Sequence, residues 1–325
     1  MAETHTPVLI VGAGPTGLTL AIDLGLRGIG CTLIEKKPEP EFLPKMERCN
    51  ARSMEIYRRM GLADQLRRVG LPPHCPMDVF IVLSLVQEPL LRLPYPSVAQ
   101  AKAEIAASED MSQPLEPYQL ISQYTLEPAL KRVADSLPTV TVRYGHELVS
   151  FNQTPEKVTA VLRKENGATE TITADYMAGC DGGGSLVRRE LDIALNGESN
   201  LLRFQQALYR CDGLYDRIPI GKGRHYHVAD DKATFFIVQD STNHFTLHAT
   251  VENPVDMGPL FEKAVAMPVK YEMLYVGPWR QNLLLADAYG KGRVFMAGDA
   301  AHLVIPTGGL GMNTGVGDAI DLSWK

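Results

Sequence analysis

The sequence lacks the features that mark several large classes of protein. Aromatic residues make up 7% of its 325 residues and charged residues 22%, against 45% hydrophobic residues, a balance that excludes disordered and fibrous classes. A membrane-spanning helix needs about 20 apolar residues, whereas the longest apolar stretch, residues 79–86, is interrupted by Ser84. At roughly 150 residues per domain, the length suggests about two domains. We therefore expect a soluble globular protein.

Cysteine and basic charge are scarce as well. The five cysteines are widely spaced and include no CxxC pair, so they indicate free thiols rather than a disulfide framework. The first seven residues contain no basic residue and the apolar run after them meets Gly12, which argues against a signal peptide. A formal net charge of -6 offers no basic surface to nucleic acid or anionic lipid. These absences predict a cytoplasmic protein, monomer or homodimer, with no nucleic acid and no membrane as partner.

The amino-terminal region carries the first motif. A buried-strand pattern over residues 8–11 leads to a helical pattern over residues 18–26, and a second strand pattern over residues 30–35 completes a βαβ unit. The segment between the first strand and the helix, residues 12–17, has the spacing GxGxxG, and the acidic Glu35 ends the second strand. This arrangement is typical of dinucleotide binding, with the acid directed at ribose hydroxyls.

Each glycine of the motif has a physical role. Gly12 makes the turn, Gly14 lets the backbone approach a pyrophosphate, and Gly17 lets the helix pack on the strand. The amino terminus of the helix offers unpaired N–H groups and about half a positive charge to the phosphates. A purely structural glycine turn is the alternative, and the motif alone does not distinguish FAD from NAD.

Two later segments each place an acid where a strand pattern ends. Asp181 precedes three glycines and the basic Arg188, and Asp299 is followed by a glycine-rich loop over residues 306–313. Together with GxGxxG, these segments resemble the three fingerprints of the flavoprotein aromatic hydroxylases, the single-component FAD monooxygenases built like p-hydroxybenzoate hydroxylase. Residues 48–55 and Gln123 are similar to further flavin-contacting positions of that family. The resemblance extends over nearly the whole chain.

The resemblance implies an α/β fold with two domains. A Rossmann-like FAD-binding domain with a parallel sheet is expected over residues 1–75, 110–195 and 277–325, and a substrate-binding domain with an antiparallel sheet over residues 76–109 and 196–276. Family members continue beyond the helix in which this sequence ends, so the C-terminal part of the family fold is expected to be absent.

Several elements follow from the residue pattern itself. Apolar spacing predicts helices over residues 46–60 and 124–137. Short alternating segments over residues 224–228, 234–239 and 245–251 predict an antiparallel meander.

The resemblance also implies which residues bind FAD. These are Gly12, Gly14, Pro15, Thr16, Gly17, Glu35, Lys36, Arg52, Gln123, Leu148, Asp181, Asp299, Pro306, Gly308, Gly309, Leu310, Gly311, Met312 and Asn313. Asp299 is expected to accept hydrogen bonds from ribityl hydroxyls.

For some of these residues a simpler explanation remains open. Asp181 is expected to shape the phosphate and nicotinamide region together with Arg188, and a salt bridge that stabilises the turn is the alternative. A surface charge on a helix is the alternative for Arg52, and core packing is the alternative for Leu148. For Arg48, a cofactor contact and a surface charge are both open.

The chemistry is expected at the loop of residues 306–313. Its glycines leave backbone N–H groups close to the flavin ring, and the following helix directs its positive end at the negative charge of reduced flavin. Pro306 forms one wall of this space, and a plain glycine-rich connector is the alternative. Tyr226 is a weak candidate for a hydrogen bond to a phenol, whereas His225 and His227 lack the third ligand that a metal site needs. No metal is therefore predicted.

The predicted activity is that of an FAD-dependent monooxygenase. It hydroxylates a small aromatic substrate, phenol-type or polyketide-like, with O2 that adds at C4a of flavin reduced by NADPH or NADH, a transient electron donor. The single GxGxxG agrees with a nicotinamide coenzyme that binds without a domain of its own. The alternatives are an FAD oxidoreductase of the same fold that epoxidises or reduces an alkene, and a truncated flavin-binding protein without turnover.

Overall fold

The computed structural model describes residues 4–306 and 308–325 and divides them into two compact units. The first unit comprises residues 4–42, Tyr124–Ser199 and Asn282–Lys325, and the second comprises Leu43–Gln123 and Asn200–Gln281.

The elements follow one another along the chain without internal repeats. The strands are β1 (Thr4–Val11), β2 (Cys31–Glu35), β3 (Arg48–Cys49), β4 (Val79–Val82), β5 (Leu91–Leu93), β6 (Gln119–Leu120), β7 (Val140–Tyr144), β8 (His146–Gln153), β9 (Val158–Lys164), β10 (Thr169–Gly179), β11 (Leu195–Arg210), β12 (His225–Val228), β13 (Phe235–Val238), β14 (His244–Ala249), β15 (Glu272–Ala286), β16 (Gly290–Lys291), β17 (Val294–Met296) and β18 (His302–Leu303). The helices are α1 (Pro15–Leu26), α2 (Ala51–Arg59), α3 (Ala63–Val69), α4 (Val98–Ala107), α5 (Gln123–Ser136), α6 (Leu186–Glu190), α7 (Leu214–Arg217), α8 (Met257–Val265) and α9 (Gly311–Trp324), with short 3-10 helices at Pro254–Asp256 and Gly298–Ala300.

The first unit is built on a largely parallel sheet. Its strands run in the order β16-β17-β10-β1-β2-β7, and β9 pairs with the beginning of β10 and with β8. The five strands from β17 to β7 are mutually parallel. Leu9 and Ile10 at the centre of β1 are completely buried, as expected for a strand covered on both faces.

The second unit is built on a mostly antiparallel sheet. Its strands run in the order β15-β11-β14-β13-β12-β4-β5, with β12 and β4 parallel to each other. The predicted meander corresponds to β12, β13 and β14. The long strands β11 and β15 were not predicted, because β11 is exposed over its first half and β15 shows no regular alternation of buried and exposed residues. The combination of a parallel and an antiparallel sheet confirms the predicted α/β architecture.

The unit boundaries differ from the predicted domain boundaries at four places. Residues 43–75, 110–123 and 277–281 were expected in the FAD-binding domain and belong to the second unit, and residues 196–199 were expected in the substrate-binding domain and belong to the first unit. The physical reason is packing, since Leu71 and Leu120 lie in the same apolar core as Phe80 of β4.

The predicted helix over residues 46–60 begins later than expected. Residues Arg48–Cys49 pair with β6, and the side chain of Asn50 then accepts a hydrogen bond from the backbone N–H of Ser53 at 2.8 Å. Asparagine in this position is an N-cap, so α2 starts at Ala51.

All five cysteines are buried and free, as predicted. Within the described ranges, the helices are too short or too polar to cross a bilayer.

Candidate cofactor site

Four neighbouring parallel strands of the first unit end at one edge of its sheet. Val11 of β1 is paired with Ile34 of β2 and with Gly179 of β10, and Gly179 is paired with Met296 of β17. The GxGxxG loop, Glu35, Asp181 and Asp299 follow these strand ends directly. The carboxyl edge of a parallel sheet is where open α/β folds bind ligands. The structure therefore brings together the three motifs that the sequence separates by more than a hundred residues.

The glycines of the first loop meet different constraints. Gly12 has a φ of 105°, and a Cβ there would overlap the carbonyl oxygen of Cys180. A Cβ on Gly17 would overlap the carbonyl oxygen of Gly12, whereas a Cβ on Gly14 would meet nothing closer than Glu127 Oε1 at 4.0 Å. Gly12 and Gly17 are thus required by packing, and Gly14 borders open space.

The amino terminus of α1 has no protein cap. Gly14 is the N-cap residue, Pro15 follows at the first helical position, and the first turn contains no acidic residue. The first N–H groups of a helix have no partner inside the helix and carry partial positive charge. They are directed at the open space beside Gly14, where they suit a phosphate.

Glu35 fastens this loop from the end of β2. Its Oε2 accepts a hydrogen bond from the backbone N–H of Ala13 at 2.9 Å, and its Oε1 accepts one from that of Lys37 at 3.0 Å. Each carboxylate oxygen can accept a second hydrogen bond, so Glu35 keeps acceptor capacity for the predicted contact with ribose hydroxyls. Lys36, between them, is exposed.

Asp181 and Arg188 organise the second loop without forming a salt bridge to each other. Asp181 Oδ2 accepts from the backbone N–H groups of Leu186 at 2.7 Å and Val187 at 3.2 Å, at the start of α6. Arg188 donates to the carbonyl oxygens of Ala300 at 2.9 Å and Gly183 at 3.1 Å, so it ties the second loop to the third. Asp181 Oδ1 is buried without a hydrogen-bond partner, which leaves one acceptor for a ligand.

Asp299 differs in solvent exposure from the residues on either side of it. Gly298 and Ala300 on either side are buried, whereas the Asp299 side chain is exposed. An exposed carboxylate at the end of a central strand is the group expected to accept hydrogen bonds from ribityl hydroxyls.

Asp318 on α9 fixes the third loop and was not assigned a role from the sequence. Its Oδ2 accepts from the backbone N–H of Gly298 at 2.8 Å and lies 2.7 Å from His302 Nε2. The hydrogen bond to Asp318 raises the pKa of His302 although burial opposes it. Asp318 thus joins both the Gly298 turn and His302 to α9.

The predicted loop of residues 306–313 leads into an uncapped helix. Pro306 is exposed, and its carbonyl oxygen accepts from Gly309 N–H at 2.8 Å, while Asn313 Nδ2 donates to the carbonyl oxygen of Gly309 at 2.6 Å. The N-cap of α9 is Leu310, which provides no side-chain cap, and the first turn of α9 has no acidic residue. Gly308, Gly311 and Met312 complete the predicted set, and Thr307 of the same motif lies outside the described residues.

Helices α1 and α9 approach each other through Thr16. A Cβ added to Gly315 of α9, or to Gly298 before it, would overlap or crowd the Thr16 side chain. At the other end, Ser323 donates a hydrogen bond to Asp23. The two uncapped helix amino termini therefore belong to one packed layer of the first unit.

The remaining predicted residues have simpler environments. The side chain of Leu148 lies in the core of the first unit, which is its predicted alternative. In the second unit, Arg52 is 78% exposed and lies 3.7 Å from Glu55, and Gln123 is half-buried at the start of α5. For Arg52, Gln123 and the backbone of Leu148, the cofactor contact stays a prediction.

Tyr226 requires a correction. It is completely buried and stacked on Phe80, with ring centroids 5.1 Å apart. Its hydroxyl donates to the carbonyl oxygen of Gly221 at 2.8 Å and accepts from Gly223 N–H at 2.9 Å. Both hydrogen-bonding functions are satisfied by backbone, so the hydroxyl is not available to a phenol.

The described residues fit FAD. Gly14 and the α1 amino terminus suit a pyrophosphate, Glu35 a ribose, and Asp299 the ribityl chain. The orphaned oxygen of Asp181 lies on the same edge, and the uncapped α9 terminus suits a ring system that becomes negative on reduction.

The comparisons with known proteins agree with this geometry. Residues 5–325 match a protein family described as FAD binding domain. The FAD-dependent monooxygenase apdD of Emericella nidulans is 31% identical over 98% of this chain and 54% of its own length. Aklavinone 12-hydroxylase DnrF of Streptomyces peucetius is 32% identical over 100% of this chain and 68% of its own length.

A solved structure shows the same fold. The ternary complex of aklavinone-11 hydroxylase with FAD and aklavinone superimposes with a TM-score of 0.87 at 29% identity, and covers 100% of this chain and 62% of that one. The chain therefore spans between about half and two thirds of the length of these proteins, 54% to 68%.

Proposed function

Because this chain belongs to the FAD binding domain family, and FAD is thereby its cofactor, we propose that it acts as an FAD-dependent monooxygenase. The substrate is an aromatic compound, phenol-type or polyketide-like, and the co-substrates are O2 and NADPH or NADH. The observation that carries the proposal is the convergence of the GxGxxG loop, Asp181 and Asp299 at one edge of the parallel sheet.

The residues of the first unit bind and orient the cofactor in this proposal. The N–H groups at the start of α1 hold the pyrophosphate beside Gly14. Glu35 accepts hydrogen bonds from the ribose hydroxyls, and Asp299 accepts them from the ribityl chain. Arg188 keeps the second and third loops in register through the carbonyl oxygens of Gly183 and Ala300.

The α9 amino terminus supplies the electrostatic contribution. FAD, when bound, would supply the redox chemistry, namely acceptance of a hydride from the nicotinamide coenzyme and activation of O2. The uncapped N–H groups that follow Leu310 stabilise the negative charge of the reduced ring without reorganising. The hydrogen bond from Asn313 to Gly309 fixes the loop that would border the ring.

Relatives and the second unit support the choice of substrate class. Two of the similar proteins are named as hydroxylases of aklavinone, and another is named as a putative polyketide hydroxylase. One region of the second unit's sheet carries a series of stacked rings, with Phe235 parallel to His248 at 4.4 Å and Trp279 parallel to Phe204 at 4.7 Å. Flat ring faces of this kind suit a flat aromatic substrate.

The experiment that tests the function is a turnover assay of the purified yellow protein. Phenols and polycyclic phenolic ketones are screened for stimulation of NADH and NADPH oxidation, and product formed under isotopically labelled O2 is analysed by mass spectrometry. We expect stimulated oxidation and a product that gains one labelled oxygen atom, with peroxide measured to detect uncoupling.

Two controls define failure. Asp299→Ala protein, depleted of FAD, should consume no coenzyme, which links consumption to the site. Flavin-containing wild-type protein whose coenzyme oxidation no aromatic compound stimulates would contradict the proposal and favour a flavin-binding protein without turnover.

A further inference from the structure

Glu47 and His225 form a hydrogen-bonded pair inside the second unit that the cofactor motifs do not explain. His225 Nε2 lies 2.6 Å from Glu47 Oε2, although the two residues are 178 positions apart in the sequence. Their side chains are only 16% and 17% exposed. A distance this short is typical of a charge-assisted hydrogen bond. The contact is formed by the fold and has no local sequence signature.

The carboxyl group of Glu47 is ionised at neutral pH. Burial alone would raise its pKa, but His225, Arg224 and Arg48 outweigh burial and lower the pKa of Glu47 to about 2. An ionised carboxylate can only accept hydrogen bonds, so His225 donates its Nε2–H to it. In the neutral imidazole, the lone pair is then on Nδ1.

The second nitrogen of His225 is available. His225 Nε2 is hydrogen-bonded to Glu47. Nδ1 of the same ring has no hydrogen-bond partner among residues 4–306 and 308–325. The ring keeps part of its surface exposed. A carboxylate that fixes the tautomer of an imidazole, and leaves its other nitrogen free, is the arrangement by which enzymes orient a general base.

Besides His225, the groups that lower the pKa of Glu47 are cationic. Arg224 Nη1 lies 3.5 Å from Glu47 Oε1, and Arg224 Nε is buried without an acceptor. Arg48, on β3, is the other cation that acts on Glu47. Positive charge beside the imidazole favours an anionic ligand over a neutral one.

The neighbouring titratable groups do not compete with His225 for this role. Burial lowers the pKa of His227, whose ring centroid is 5.7 Å from that of His225. Burial also lowers the pKa of His248, to about 3, and its Nδ1 accepts from Trp279 at 3.1 Å. Asp78, at the start of β4, is held by Arg92 and by the backbone N–H of Tyr95.

We propose that His225, oriented by Glu47, takes the phenolic proton from the aromatic substrate. The inference rests on the proposed function and names the residue that activates the substrate. In this step the substrate O–H bond breaks, an N–H bond forms at His225 Nδ1, and a phenolate and an imidazolium result. Glu47 stabilises the imidazolium, Arg224 and Arg48 stabilise the phenolate, and the proton passes to water when the product leaves.

The step has a chemical purpose. A phenolate donates more electron density to its ring than a phenol, so the carbon ortho or para to the oxygen attacks an electrophilic oxygen atom more readily. General-base assistance of this kind contributes on the order of 100-fold or more to a rate.

The test measures the protonation of a bound phenol directly. Holoprotein is titrated with 4-nitrophenol at a pH below the pKa of the free compound, without nicotinamide coenzyme, and the phenolate absorption band is recorded as a difference spectrum. We expect the wild type to bind it as the phenolate. In His225→Asn the ratio of bound phenolate to bound phenol should fall by about tenfold or more, which corresponds to one unit or more of pKa.

Two further variants keep the test decisive. Glu47→Gln preserves shape and removes the charge, and should reduce the ratio of bound phenolate to bound phenol by about tenfold because an adjacent opposite charge shifts a pKa by one unit or more. His244→Asn is the matched control: this half-buried histidine of the same sheet bonds to Ser241 and should leave the phenolate band unchanged. Flavin content and melting temperature show whether each variant is folded.

The result that overturns the proposal is equally direct. Wild-type protein that binds 4-nitrophenol only in its neutral form, or a folded His225→Asn variant with an undiminished phenolate band, would exclude this role. Since no turnover is involved, the spectrum is independent of whether the protein hydroxylates anything. Conversely, the wild type could form product while His225→Asn turns over a neutral phenol at an unchanged rate. That result would exclude His225 as the base and leave the proposed monooxygenase function standing.

Discussion

The two units place their chemical groups by different means. In the first unit the groups are mostly backbone, offered by the uncapped amino termini of α1 and α9 and by glycines such as Gly14. In the second unit they are side chains from distant parts of the chain that packing brings together, as with Glu47, which precedes β3, and His225 of β12. A site made from backbone needs glycines and strand ends at fixed spacing, so it is visible in the sequence. A site made from distant side chains leaves no such pattern.

The largest loss of stability is expected at Gly17, in the backbone-built site of the first unit. A side chain there collides with the Gly12 carbonyl oxygen, so Gly17→Ala should destabilise the protein by roughly 3 kcal/mol. The matched control is Gly184→Ala, since a Cβ at Gly184 would meet nothing within 4 Å. Chemical denaturation measures both variants, and equal stability of the two would show that backbone contact does not determine this loop.

Asp299 tests whether a carboxylate of the first unit acts on the ligand rather than on the fold. Its side chain is exposed, so Asp299→Ala should leave the melting temperature of the apoprotein unchanged. Loss of charge-assisted hydrogen bonds worth about 2 kcal/mol should weaken FAD binding about 30-fold. Quenching of flavin fluorescence measures the affinity, and Asp287→Ala, which removes a carboxylate from the same unit, serves as control. Unchanged FAD affinity would contradict the assignment of Asp299.

Tyr226 and His225 are adjacent on β12, and neighbours on a strand point to opposite faces. Substituting each in turn therefore separates a structural role from a chemical role within the second unit. Tyr226→Phe removes the hydroxyl that bridges Gly221 and Gly223, and should cost about 1.5 kcal/mol of stability. It should leave the 4-nitrophenol spectrum unchanged, whereas His225→Asn changes the spectrum. A Tyr226→Phe protein of wild-type stability that loses the phenolate band would reverse the two roles.

The fold and the first unit's site could largely be predicted from the sequence. Gly12, Gly14 and Asp181 follow strand ends, and Gly17 lies in the first turn of α1. A sharp turn or a close approach permits few residue types, which makes the three glycines visible in the sequence. Tyr226 was wrongly favoured, since its place in the meander did not indicate which face was buried. Glu47 was missed because its partner is 178 positions away in the sequence and the contact has no local sequence pattern.

The smallest effect is expected for a substitution of Gly14, which shares a loop with Gly17 but borders open space. This substitution distinguishes a glycine that binds phosphate from a glycine that is required by packing. Gly14 is the N-cap of α1 with φ of -70° and ψ of 178°, a conformation open to any residue. Gly14→Ser adds a good N-cap, so the apoprotein should be as stable as wild type or a few tenths of a kcal/mol more stable. The same hydroxyl competes for the N–H groups that the pyrophosphate needs, and FAD affinity should fall about tenfold, or 1.4 kcal/mol. Apoprotein melting and flavin titration measured together would decide the point: a variant that loses stability and affinity in parallel would place Gly14 with Gly17 as a packing glycine, and the phosphate site would then need another location.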